Sequence, residues 1–415
     1  MGEAGVSEST IPRFDYDLLA AEVRDDPYPL YERLREASRI HWSETLGGWG
    51  LTRYDDVRAA LDVEELSAAR FSPYLEIMRN SENPDPVSLA LYEGLQAWFT
   101  FADPPYHTRV RGLTRGVISG PMKAMTASVD ELVGDLLDLA QERGEIDVIA
   151  DLARPASVGA IVKLLGVPAE DQELFTEWSE MLTEYIGGAI DVPNRRERAR
   201  GALGELSDYL NELVARRRST PGDDLLSALI SARNKGDALS TDEIVATAGM
   251  LLFAGYGSST NTVGNGLLAL LSNPSQRAAL ADGTVTAERA VEEILRYDSP
   301  VQVTVRNADR DGALDCPEIA AGDRVFLFVA SANRDASRVT NPGDFDLTRE
   351  KIPHVTFGYG IHFCIGAPLA RIEVPLVFRR LFERFRSIEL TSSELHWQPT
   401  VGFRGLKELP VAVHA

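Results

Sequence analysis

The sequence predicts a mainly helical α+β fold with small β-sheets, built as one large domain, and three observations predict it. Helical patterning runs from Val129 to Arg218 and returns over 244–271, a stretch without charge. Strand-like alternation is confined to short runs near residues 41–52 and 301–306. No Gly/Ser-rich or Pro-rich linker, internal repeat or long charge block divides the 415 residues.

Taken in order, residues 1–25 read as a partly flexible N-terminal segment and 26–415 as the domain. Asp26-Pro27-Tyr28-Pro29-Leu30-Tyr31 opens an amphipathic helix through Leu34. His41-Trp42 and Gly48–Thr52 alternate like a hairpin, and a helix follows at Tyr54–Leu61. Residues 71–100 read as irregular, with Pro73, Pro84 and Pro86 among scattered aromatics. After Pro104-Pro105 a helix begins that places His107 and Arg111 on one face. An exposed pair and a carboxylate-binding pair both fit that spacing. Gly166, Pro168 and the 189–194 break divide the next helical stretch, where Trp178, Met181, Leu182 and Tyr185 fit core or pocket equally.

The run 244–276 is long enough to cross a bilayer, but Gly257–Thr262 and Asn265 make it too polar for a lipid-facing helix. A helix buried inside a globular protein fits better. Met250, Ala254 and Ser258 share one stripe, with Phe253 and Gly257 beside it. Gly255 and Gly257 each weaken the helix by roughly 1 kcal/mol relative to Ala, which predicts a kink and a water-filled groove. Residues 287–297 form a helix carrying Glu293 and Arg296, three apart. Val301–Arg306 alternates as a strand, and Val401–Leu406 reads as a C-terminal hairpin.

A net charge of −21 weighs against nucleic-acid or anionic-membrane partners. Two cysteines, Cys316 and Cys364, imply no disulfide framework and suit a reducing cytoplasm. The polar N-terminus has no signal-peptide pattern, and Val6 stands where a myristoylation signal needs Ser or Thr. A cytoplasmic monomer is expected.

The chemistry gathers at Phe357-Gly358-Tyr359-Gly360-Ile361-His362-Phe363-Cys364-Ile365-Gly366, followed by a helix from Ala367 with Pro368 in its first turn. Helix-end N–H groups lower a thiol's pKa, so the position favours a thiolate. A buried structural thiol is the alternative. F-G-x-G-x-H-x-C-x-G fills every position of the cysteine loop of the cytochrome P450 family, and the chain resembles its soluble bacterial members from about Asp26 to the end.

The resemblance implies a domain with haem b between a long central helix and the cysteine-loop helix. Cys364 would be the axial thiolate, with Phe357, Gly358 and Gly366 against the haem, and His107, Arg111, Arg306 and His362 would hold its propionates. Glu293, Arg296 and Arg349 would form the buried ion-pair network that braces the loop. The family's A-G-x-[acid]-T pattern reads here Ala254-Gly255-Tyr256-Gly257-Ser258, so Ser258 keeps a hydroxyl while Gly257 removes the acid. The implied substrate pocket comprises Met250, Phe253, Ala254, Val301, Val303 and Phe403, and residues 71–100 would close over it.

The implied activity is a haem-thiolate monooxygenase that hydroxylates or epoxidises a bulky hydrophobic secondary metabolite with dioxygen and two electrons. The alternative is oxidative ring closure or radical coupling without net oxygen insertion. A ligand sensor or carrier without turnover is a third reading, which an oversized pocket disfavours. The chain has no G-x-G-x-x-G segment, so a ferredoxin and ferredoxin reductase are the expected donors. Arg109, Arg115, Lys351, Arg379 and Arg380 are expected to form the basic patch that attracts the ferredoxin.

Overall fold

Ser240 nucleates the element on which the rest is packed. Its Oγ accepts from the Glu243 N–H, and the Glu243 carboxylate accepts from the Ser240 N–H at 2.9 Å, a reciprocal cap for the first turn. In the computed structural model, which describes residues 11–189 and 192–415, the central helix then runs unbroken over Thr241–Ser272. Gly255 and Gly257 do not interrupt it. Helices Arg154–Leu165, Gln172–Ile186 and Arg195–Ser219 pack around it, and that burial outweighs the poor propensity of two glycines. Farther along, a Cβ on Gly266 would come within 2.7 Å of Ile294 and 2.8 Å of Phe378. Glycine there permits two helices, Ala287–Tyr297 and Ala367–Arg384, to approach the backbone closely.

The helix Tyr106–Arg143 lies along the cysteine-loop helix Ala367–Arg384 and starts with His107 in its first turn. Residues 71–100, read as irregular, contain two helices, Ser72–Arg79 and Pro86–Gln96. Pro73 and Pro86 occupy first turns, where the missing N–H has no partner to lose, and Asp85 caps the second helix through Val87 and Ser88. The prolines start these helices instead of breaking them.

Strand order in the larger sheet is Arg13–Phe14, Ile40–Ser43, Gly48–Leu51, Arg324–Phe328, Val303–Ala308, Leu66–Ser67. The expected hairpin is present, with Trp42 opposite Trp49. The strand expected at 301–306 spans Val303–Ala308 and sets Val305 opposite Phe326, while Val301 bridges Phe403. A second sheet joins Glu145–Asp147, Pro410–His414 and Ser387–Leu390. Of the N-terminal segment, residues 1–10 lie outside the described residues, whereas Arg13–Phe14 pairs in parallel with Trp42–Ser43 and Ala21–Asp25 is helical. Two residues of the 189–194 break, 190 and 191, also lie outside the described residues. Among the described residues no helix is long and apolar enough to cross a membrane.

Candidate active site

The cysteine loop is shaped by its backbone. Gly358 (φ 72°) and Gly360 (φ 66°) are left-handed, a conformation that L side chains rarely adopt. The Cys364 N–H donates to Phe357 O at 2.8 Å and closes the turn. The N–H groups of Gly366 and Ala367 then face the Cys364 sulfur at the start of the helix. Cys364 presents its surface to an interior cavity and is crowded by protein elsewhere. Burial pushes the thiol up, while those two N–H groups, Arg111 and Arg371 pull it down. The net direction is upward, which corrects the expectation of a lowered pKa: helix-end donors offset desolvation without exceeding it.

Behind the loop, Glu293 and Arg296 are fully buried and doubly bonded, Arg296 Nε to Oε2 and Nη2 to Oε1, both at 2.7 Å. Arg349 Nε adds a third bond to Glu293 Oε1 at 3.0 Å, and the Asp346 N–H a fourth, also at 3.0 Å. Arg296 also donates to the carbonyls of Asn333, Pro342 and Asp344, and Arg349 to those of Thr340, Asn341 and Asp344. Asn333 passes the tie onward, accepting from the Val355 N–H and donating to Thr356 Oγ1, each at 2.8 Å. Phe357 follows directly.

Sequence reasoning missed a neighbouring brace. Arg371 Nε donates to Glu292 Oε1 at 2.7 Å, and His354 Nε2 lies 3.0 Å from Glu292 Oε2. Burial works to raise the Glu292 carboxyl, but hydrogen bonds to His354 and Arg371 bring it down to about 2.

One cavity of about 340 Å³ collects the predicted loop and pocket residues with Arg111, Arg306 and His362, while His107 sits behind His362 and does not line it. Met250, Phe253, Ala254, Gly257 and Ser258 line it from the central helix. Val301, Val303 and Phe403 also line it, as do Phe357, Gly358, Cys364 and Gly366 of the cysteine loop. The Ser258 hydroxyl donates to Ala254 O at 3.1 Å and so is satisfied within its own helix.

Cationic and imidazole groups meet at one edge. His107 is fully buried with neither ring nitrogen bonded among the described residues, and its ring centroid lies 4.0 Å from that of His362. Arg111 donates to Phe363 O. Arg306 is 9% exposed and bonds only its own neighbour's carbonyl, Val305 O, among the described residues. Burial lowers His107 to about 4 and His362 to about 3, with Arg306 and other nearby cations adding to the effect, and lowers Arg306 to about 10.

Unused donors around an apolar cavity call for an anion. A flat dianionic macrocycle with a thiophilic metal fits this set: a sulfur for the metal, a glycine beside it, and open donors for two carboxylates. The residues present therefore suit haem.

A buried acid from another element lines the same cavity. It is Glu373, on the cysteine-loop helix and 2% exposed. Ser157 Oγ donates to Glu373 Oε1 at 2.6 Å, and the Ser259 hydroxyl also bonds the carboxyl. Burial raises this carboxyl to about 7. The signal in the sequence was an acid set against the apolar run Val374-Pro375-Leu376-Val377-Phe378.

The expected basic patch is smaller than predicted. Arg109 is paired with Asp237 and Glu243, and Arg380 with Asp130 and Glu383, so both charges are neutralised by acids brought in from other elements or the next turn. Arg115, Lys351 and Arg379 are exposed.

The family model for cytochrome P450 matches residues 173–283 and 285–400. The chain belongs to the cytochrome P450 family. This P450 is 37% identical over 406 residues to cytochrome P450 107B1 of Saccharopolyspora erythraea, covering 95% of this chain and 97% of that protein. It is 38% identical to the cytochrome P450 monooxygenase PikC of Streptomyces venezuelae, covering 96% and 94%. It also resembles the crystal structure of P450BioI in complex with an acyl carrier protein ligated to hexadec-9Z-enoic acid, with TM-score 0.87, 32% identity and coverage of 95% and 100%. The P450 is thus an oxidoreductase of a family that binds haem through a cysteine thiolate.

Proposed function

We propose that this P450 is a haem-thiolate monooxygenase that inserts oxygen into a bulky, mainly hydrophobic secondary metabolite. One observation carries the reading: Cys364, Ala254 and Ser258 line one apolar cavity together with Arg306 and His362, and the unbonded ring of His107 lies against His362. In this reading Cys364 ligates haem b, and His107, Arg111, Arg306 and His362 receive its propionates. Bound there, haem supplies dioxygen activation and oxidation of the substrate.

The remaining steps belong to side chains. Met250, Phe253, Val301, Val303 and Phe403 exclude water and orient the substrate. Glu373 holds a proton on its carboxyl near neutral pH and is linked to the central helix by the Ser259 hydroxyl. Proton delivery therefore runs from Glu373 through Ser259, with the Ser258 hydroxyl beside the path. A carboxyl in the cavity removes the main argument for the alternative, oxidative ring closure or coupling without oxygen insertion, which rested on Gly257.

Among the relatives are a 6-deoxyerythronolide B hydroxylase and a polyketide biosynthesis P450, which supports a secondary metabolite as substrate. A ferredoxin and its reductase would supply electrons, docking near Arg115, Lys351 and Arg379. Two free cysteines fit a cytoplasmic setting, and the protein is read as a monomer.

Reconstitution with ferredoxin, reductase and candidate polyketide, terpenoid or peptide substrates tests the reading. A product gaining one oxygen supports it. A product lighter by two hydrogens supports the alternative.

A further inference from the structure

One half-buried cation that lines the cavity has no role in the scheme above. Arg70 follows the strand Leu66–Ser67 and lines the cavity, and its Nε is buried without a hydrogen-bond partner. No hydrogen bond or ion pair engages its guanidinium among the described residues. Its Cζ instead lies 4.3 Å from the Phe101 ring centroid and 5.1 Å from that of Phe71. Phe101 stacks on Trp98 at 6.1 Å, and Trp98 leans on Phe253 of the central helix at 5.3 Å, so Arg70 is held by an aromatic chain tied to that helix.

The charged groups within its reach sharpen the point. They are Arg306, which repels it, and the phenols of Tyr185 and Tyr74. Arg306 has Asp103 within reach, whereas no carboxylate lies near enough to act on Arg70 among the described residues. Burial lowers Arg70 only to about 10, so it remains charged at neutral pH. A guanidinium held over aromatic faces keeps its in-plane donors free for a fork of hydrogen bonds, the geometry that a carboxylate matches.

We propose that Arg70 is a specificity residue that receives a carboxylate of the substrate, so that this P450 prefers an organic acid with a large apolar body. The proposal rests on the haem-thiolate reading above. A haem propionate offers the same chemistry to Arg70, and the experiment separates the two sources.

The test uses the haem-loaded full chain. Palmitic and lithocholic acids and their methyl esters are titrated by the low-spin to high-spin Soret shift in wild type, Arg70→Gln and Arg70→Lys. Haem content and haem transfer to apomyoglobin are measured in parallel. For at least one acid, wild type is expected to bind the acid about tenfold or more tightly than the ester. Arg70→Gln should erase that ratio, and Arg70→Lys should keep part of it, with haem retention unchanged. Equal affinity for acids and esters in wild type, or a preference that survives in Arg70→Gln, overturns the proposal. Faster haem loss from Arg70→Gln with an intact preference assigns the arginine to a propionate and also overturns it. A wild-type protein without the carbon monoxide band of sulfur-ligated haem would instead defeat the haem-thiolate reading itself.

Discussion

Replacing Glu293 with alanine removes the acceptor shared by Arg296, Arg349 and the Asp346 N–H. Arg296 is fully buried, so its charge would remain in the interior without a counter-ion. Breaking such a pair from one side costs about 3–5 kcal/mol. A domain's whole stability is about 5–15 kcal/mol, so the loss would be a large share of it. The damage should also be directional. Arg296 and Arg349 bond the carbonyls of residues 333–344, and Asn333 joins that segment to Val355 and Thr356 just before the cysteine loop.

The assay is denaturant unfolding followed by circular dichroism, with haem content per protein measured on the same preparations. Glu293→Ala should unfold at clearly lower denaturant and fail to retain haem. Arg384→Ala serves as the control because it removes only surface contacts, an ion pair with Asp138 worth about 0–1 kcal/mol and a hydrogen bond to Gln141. A Glu293→Ala protein within about 1 kcal/mol of wild type and fully haem-loaded would refute the bracing argument.

Glu373 makes stability depend on pH. Its folded pKa, about 7, lies above the ordinary 4.5, so the folded state binds the extra proton between those values. The associated stability, about 3 kcal/mol at most, is present below pH 4.5 and lost as pH rises toward 7. Glu373→Gln should flatten that slope in thermal melts across the same window, and the pH profile of turnover should lose its limb near 7. In the central helix, Gly257→Ala places a Cβ 3.9 Å from Thr183 Oγ1, an ordinary contact, and should stabilise by up to about 1 kcal/mol. Gly266→Ala meets Ile294 and Phe378 and should destabilise by about 1–3 kcal/mol, so equal melting shifts for the two variants would contradict the packing. Ser259→Ala should impair turnover and uncouple oxygen use more than Ser258→Ala, because Ser259 bonds the carboxyl and Ser258 its own helix. Charge reversal at Arg115 and Arg379 should raise the KM for ferredoxin and weaken its salt dependence, whereas reversal at Arg109 should change it less.

Much of this site was legible because its chemistry is local in the chain. The cysteine loop needs glycines with positive φ at fixed offsets from the sulfur, and Glu293 and Arg296 face together because they are one helical turn apart. The pocket stripe Met250, Ala254 and Ser258 follows from helical periodicity alone. What escaped the sequence depends on elements meeting in space. Glu373 reaches the cavity because the cysteine-loop helix packs beside Ser157 and Ser259. Arg109 and Arg380 have their charge offset by acids on other elements. The helices in 71–100 were missed because a proline in a first turn looks like a breaker until the cap is seen. The unbroken central helix shows packing overriding the low propensity of two glycines.

The central claim is a bond from Cys364 to haem iron, and the carbon monoxide difference spectrum of the reduced protein tests it most directly. A strongly red-shifted Soret band is expected in wild type and in Cys316→Ser, and its loss in Cys364→Ser. A band at the position of nitrogen-ligated haem in wild type, or a red-shifted band that survives in Cys364→Ser, would contradict it.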